Sequence, residues 1–60
     1  MLIEHKTKKY GIFEVIDKYT DTVGMRYWVL MDSQGMIFEE NLIEIIQNYK
    51  SHLGGNEWKL

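Results

Sequence analysis

The chain has 60 residues, a formal net charge of −2 and neither cysteine nor proline. A domain of this size buries only about 60% of the surface its unfolded form exposes, and without cysteine no disulfide or thiolate metal site can reinforce it. No stretch approaches the roughly 18 apolar residues of a membrane span, and Glu4 interrupts the opening too early for a signal-peptide apolar run, so a soluble, cytoplasmic protein with no membrane partner is expected.

Charge is unevenly spread. Residues 1–10 carry Lys6, Lys8 and Lys9 against Glu4, whereas residues 11–44 carry Glu14, Asp17, Asp21, Asp32, Glu39, Glu40 and Glu44 against Lys18 and Arg26. An acidic body with a basic arm over residues 1–8 favours a protein partner with a basic or mixed surface. Nucleic acid, which calls for a basic stripe across the fold, is less favoured.

Lys9 to Lys18 is rich in β-branched and aromatic residues and predicts a strand. Its adjacent apolar pairs, Ile12-Phe13 and Val15-Ile16, predict a bend or bulge that lets it serve two faces. Tyr19 to Gly24 is polar, ends in glycine and predicts a loop. Met25 to Met31 predicts a second strand, and Asp32-Ser33-Gln34-Gly35 has the Asp and Gly of a type I turn. Met36 to Glu39 then returns, which makes a hairpin.

A four-residue loop would set Met31 opposite Met36, Leu30 opposite Ile37, Val29 opposite Phe38 and Trp28 opposite Glu39. Opposed residues share a face. One face would carry Trp28, Leu30 and Ile37, and the other Tyr27, Val29, Met31, Met36 and Phe38. Both faces would be apolar, unlike the single wet face of an ordinary antiparallel layer.

Two readings of the remainder stay open. Leu42, Ile45, Ile46, Tyr49 and Leu53 have helical spacing, with Asn41 as cap, Glu44 three residues later and Gly54 as stop. Alternatively, a turn at Glu40–Leu42 leads to a strand over Ile43–Ile46 and a shorter helix over Gln47–Leu53.

The curved strand Gly11-Ile12-Phe13-Glu14-Val15-Ile16, the polar loop, the hairpin and the closing Glu40-Asn41-Leu42-Ile43-Glu44-Ile45 resemble the small Src-homology-3-like (SH3-like) barrels of bacterial and phage proteins. The resemblance covers residues 8–46 at the level of fold. It implies a mainly β, antiparallel barrel over 9–46, with residues 47–60 as a short helix or helical tail. The Ala-Leu-Tyr-Asp-Tyr stretch and groove proline of the peptide-binding members are missing, so binding of proline-rich peptides is not implied. The fold hosts many functions.

No constellation of residues asks for catalysis. His5 and His52 stand outside any ligand motif, and the neighbours Glu39 and Glu40 point to opposite faces of a strand. Asp17 and Asp21 lack the spacing of a calcium loop. Ser33 and Ser51 have no neighbouring base, and Gly54-Gly55 does not open a phosphate loop. No catalytic, cofactor or metal residue is assigned.

Trp28 and Phe38 suit the core. Trp58, after two glycines, suits either a fold-back contact or a partner anchor. Met25, Met31 and Met36 flank the turns, where methionine adapts to irregular neighbours. The expected function is a non-enzymatic protein-interaction module, of the size and style of a phage or mobile-element protein that binds and modulates a host protein. Its partner-binding residues would be Tyr27, Trp28, Met36, Glu39, Glu40 and Trp58. Self-association into a homodimer is expected as cover for the apolar hairpin. The alternative is a nucleic-acid-binding barrel using Lys6, Lys8, Lys9, Lys18 and Arg26 beside exposed aromatics.

Overall fold

The computed structural model describes residues 1–7 and 11–51. Its elements in chain order are β1 (Leu2–His5), β2 (Ile12–Thr20), β3 (Arg26–Met31), β4 (Ile37–Asn41), the helix α1 (Leu42–Asn48) and β5 (Tyr49–Ser51). The protein is mainly β, with five antiparallel strands in one sheet of order β4-β3-β2-β1-β5 and one short helix. Lys8, Lys9, Tyr10, His52, Leu53, Gly54, Gly55 and Trp58, all singled out in the sequence, lie outside the described residues.

Three expectations hold. The register of β2 on β3 shifts between Val15 and Asp17, which is the bulge that the paired apolar residues anticipate. Asp32 and Gly35 close a turn, with the Gly35 amide donating to the Asp32 carbonyl at 3.1 Å. Asn41 caps α1, its side-chain oxygen accepting the Ile43 amide at 2.8 Å.

Others are corrected. The segment from Tyr19 to Gly24 is not a loop. β2 runs on to Thr20, which pairs with Arg26, and the connection is the tight turn Asp21–Met25. This turn repeats the one at Asp32–Met36 bond for bond. In each, the Asp amide donates to the Met carbonyl and the Gly amide to the Asp carbonyl. Each Asp carboxylate also accepts two further amides, from Val23 and Met25 in the first turn and from Gln34 and Met36 in the second. Gly24 and Gly35 have φ of +88° and +83°, the left-handed conformation that lets a three-residue loop match the strand twist through a glycine bulge.

That bulge moves the hairpin register by one residue. Met31 pairs with Ile37, Leu30 with Phe38, Val29 with Glu39, Trp28 with Glu40 and Tyr27 with Asn41. A shift of one exchanges the faces of a strand. Trp28, Leu30, Phe38 and Glu40 therefore share the concave side, and Tyr27, Val29, Met31, Ile37 and Glu39 the convex side. The convex side is wet, because Asp17, Val29 and Glu39 form one of its rows.

The chain's ends are also corrected. Leu2–His5, read as part of an arm, is an interior strand whose Ile3 side chain is fully buried. The carboxy-terminal segment follows neither alternative. The helix is confined to Leu42–Asn48, and Tyr49 turns extended at φ −124°, ψ 162° while its amide still donates to the Ile45 carbonyl. Pairing of Tyr49–Ser51 with β1 gives partners to the backbone groups on the outer side of β1, which another helical turn would leave unpaired.

The core is Ile3, Trp28, Leu30, Ile45 and Tyr49, with Phe13, Val15 and Leu42 packed against it. Phe13 of β2 meets Phe38 of β4 edge-on at 6.0 Å and Tyr49 of β5 at 5.7 Å. Both pairs skip a strand, so the sheet curls around this face, and α1 bridges its two outer strands.

Candidate interaction surface

Strand alternation places the candidate side chains. Across the convex face, Leu2, Glu14, Met31 and Ile37 fall into one row through the pairings of β1, β2, β3 and β4. Leu2 is 43% exposed and Ile37 61%, and Ile12 beside them is also exposed. A groove of about 420 Å³ runs along Leu2, Ile12, Phe13, Glu14 and Met31 to the Asp32–Ser33 corner. At the β4 margin Met36 and Phe38 are also exposed, Phe38 by 44%, and among the described residues no strand covers this edge from outside.

The face is acidic as well as apolar. Glu14, Asp17 and Glu39 stand among these residues, and Glu4 meets Lys50 at 3.4 Å. Tyr19 stacks on Tyr27 with ring centroids 5.3 Å apart and donates its hydroxyl to Glu39 at 2.9 Å. Holding that proton against the carboxylate raises the Tyr19 hydroxyl above the usual tyrosine range. The Tyr49 hydroxyl is also raised, chiefly by burial and secondarily by Glu40.

A second concavity lies where the concave face opens to solvent. Lys18, Tyr19, Thr20, Arg26, Tyr27, Trp28 and Leu42 enclose about 170 Å³. Arg26 and Leu42 also belong to an apolar hollow of about 210 Å³ reaching Met25, Ile43 and Ile46. Within the first of these the Lys18 ammonium sits 4.6 Å from the Trp28 ring centroid.

The structure thus brings together Tyr27, Lys18, Arg26 and Trp28 at one end of the sheet, and Met36 and Glu39 at the β4 margin. Trp28 is 4% exposed, so its ring belongs to the core and Lys18 lies over it. Glu40 is half-buried on the concave side opposite Trp28. Lys6 lines neither concavity, and its amide donates to the Asn48 carbonyl at 2.8 Å. His5 packs edge-on against Tyr49 at 5.0 Å. Among the described residues, no three His, Asp or Glu side chains are grouped to hold a metal ion, and no helix is long and apolar enough to cross a membrane.

The sequence reading missed Leu2, Ile12 and Ile37 as surface residues. Only the alternation Leu2-Ile3-Glu4 hinted that Leu2 faces away from Ile3. No protein-family model, curated protein or solved structure matches the chain.

Proposed function

We infer that the chain is a non-enzymatic protein-interaction module, a small barrel of the Src-homology-3-like kind that binds its partner through the convex face and the β4 margin. One observation carries this reading. Leu2, Met31 and Ile37 share one row across four strands with Glu14, and Ile12, Met36 and Phe38 are exposed around it. So many apolar side chains grouped on one small sheet mark a place of contact, because isolated exposed side chains need no explanation but grouped ones do. The acids Glu14, Asp17 and Glu39 within the patch fit a partner of basic or mixed character.

The nucleic-acid reading rests on the end cleft, where Lys18 and Arg26 meet Tyr27. Trp28 is too buried to offer a face to a base, which leaves two cations and one tyrosine pair. The interaction reading therefore stands first.

A photo-crosslinking amino acid placed at position 37, with the exposed position 47 of α1 as the comparison, tests it. Position 37 is expected to yield a discrete protein adduct, either with a second copy or with another protein, and position 47 little. Absence of any protein adduct from position 37 in lysate or with the concentrated chain refutes the reading. Light scattering that shows a monomer at high micromolar concentration removes the homodimer.

A further inference from the structure

We propose that β4 is an acceptor edge for strand addition, and that its occupant is an extended segment of another protein with basic side chains alternating with apolar ones. This deepens the interaction reading above and rests on it.

The backbone supplies the first part of the argument. β4 is the last strand of the sheet, bonded to β3 on one side and to no strand among the described residues on the other. The bond from the Asp32 amide to the Met36 carbonyl sets the parity of the ladder. From there the pairs alternate, so Phe38 and Glu40 bond to Leu30 and Trp28, whereas Ile37 and Glu39 turn their amides and carbonyls outward. An incoming strand would find two donors and two acceptors at strand spacing, enough to fix its direction and register.

Side chains select the occupant. Glu39 and Ile37 stand on the convex side of this edge, and Glu40 and Phe38 on the concave side. Phe38 is exposed because the curled sheet ends beside it, so an added strand would cover its ring with an apolar side chain. On the convex side the same strand would meet Glu39, with Asp17 two strands further in. Alternating Lys or Arg with aliphatic residues answers both demands.

Charges on an edge strand ordinarily prevent edge-to-edge aggregation. Here they discriminate. A second copy pairing antiparallel about Glu39 would set Glu39 against Glu39, and like charges directly opposite are unfavourable. A basic strand turns the same carboxylates into an attraction, so the guard against self-pairing also acts as a selector.

The test is panning of unconstrained random nonapeptides, displayed on phage, against the full chain, followed by amide hydrogen exchange with the enriched peptide. Enriched sequences are expected to alternate Lys or Arg with Val, Ile or Leu, and to slow exchange of the Ile37 and Glu39 amides by about tenfold or more. N-methylation of the peptide's central amides should abolish binding, a readout that needs no change to the protein. Glu39→Gln with Glu40→Gln should weaken binding by about tenfold, with a salt dependence lower than that of the parent. Three results overturn the proposal: no enrichment, enrichment of peptides that leave both amides unprotected, or enrichment of acidic peptides that bind beside Lys18 and Arg26. If adducts still form at position 37 while these amides stay unprotected, strand addition fails and the interaction module survives.

Discussion

Ile45 is the buried residue of α1, and its truncation to alanine is the most informative single perturbation of the fold. α1 has seven residues, well short of the roughly 12–15 at which an isolated helix becomes even marginal in water. Its existence therefore depends on what it packs against. Ile45 is fully buried in the cluster with Ile3, Trp28, Leu30 and Tyr49. Ile45→Ala removes three carbons, roughly 2.4 kcal/mol at about 0.8 kcal/mol each, and the residual cavity raises the cost to about 3–4 kcal/mol. The whole 60-residue chain is expected to have only ~3–9 kcal/mol of stability at ~0.05–0.15 kcal/mol per residue. The variant should therefore lie at the edge of unfolding. Urea denaturation followed by tryptophan fluorescence is the assay, with a midpoint lowered by about 3–4 M at a slope near 1 kcal/mol per M. Ile43→Ala, on the exposed side of the same helix, is the control and should cost under about 0.5 kcal/mol. A cost below about 1 kcal/mol for Ile45→Ala, or equal costs at the two positions, would refute the view that the core holds the helix in place.

The twin turns make a matched pair. Asp21→Ala and Asp32→Ala each remove two accepted amide bonds and should each cost about 1–2 kcal/mol, adding nearly independently in the double variant by urea titration. Gly24→Ala and Gly35→Ala force alanine into the left-handed region and should each cost about 1 kcal/mol. The raised Tyr49 hydroxyl makes the fold alkali-sensitive. A folded-state value above the unfolded one favours the neutral phenol, so that contribution is complete below pH about 10 and is lost as pH rises through the elevated value. Tyr49→Phe should flatten the fall in thermal midpoint above that pH. In a spectrophotometric titration, Tyr19→Phe should remove one late-ionising tyrosine, and Glu39→Gln should bring the same tyrosine back toward the ordinary range.

Much of the architecture was legible because local chemistry announced it: the bulge in β2 through paired apolar residues, the second hairpin through Asp32 and Gly35, and the helix start through Asn41. The first turn was missed although Asp21 and Gly24 repeat the same spacing. The polar run around them has the composition of a loop, and it is the pairing of Tyr19 and Thr20 with Tyr27 and Arg26 that extends the strand. β1 was missed because Lys6, Lys8 and Lys9 dominate the composition of its surroundings, while a single residue, Ile3, carries its burial. The helix end at Asn48 could not be read locally. It is decided by the distant strand β1, whose free side takes up Tyr49–Ser51 in place of another helical turn. For the candidate surface, the sequence marks Met36 as a neighbour of the turn and Glu39 as one of an adjacent acidic pair. The exposure of Leu2, Ile12 and Ile37 is not marked, since nothing in an aliphatic residue tells which side of a sheet it will occupy.

One residue of register decides which side chains and backbone groups the β4 margin presents. In a four-residue loop, Ile37 and Glu39 would lie on the concave side opposite Leu30 and Trp28, and Phe38 would lie on the convex side opposite Val29. The glycine bulge at Gly35 turns the strand over. Phe38 then enters the concave side, where it meets Phe13, and Glu39 moves out to accept the Tyr19 hydroxyl. Glu40, now opposite Trp28, lies at the open end of the sheet, in the same cross-strand row as Lys18. The cost of placing an acid on the concave side is thus reduced by solvent and by a nearby cation. The same turn leaves the backbone groups of Ile37 and Glu39 on the outer side of β4. The packing of Phe38 against Phe13 and the proposed recognition at β4 thus depend on one left-handed glycine.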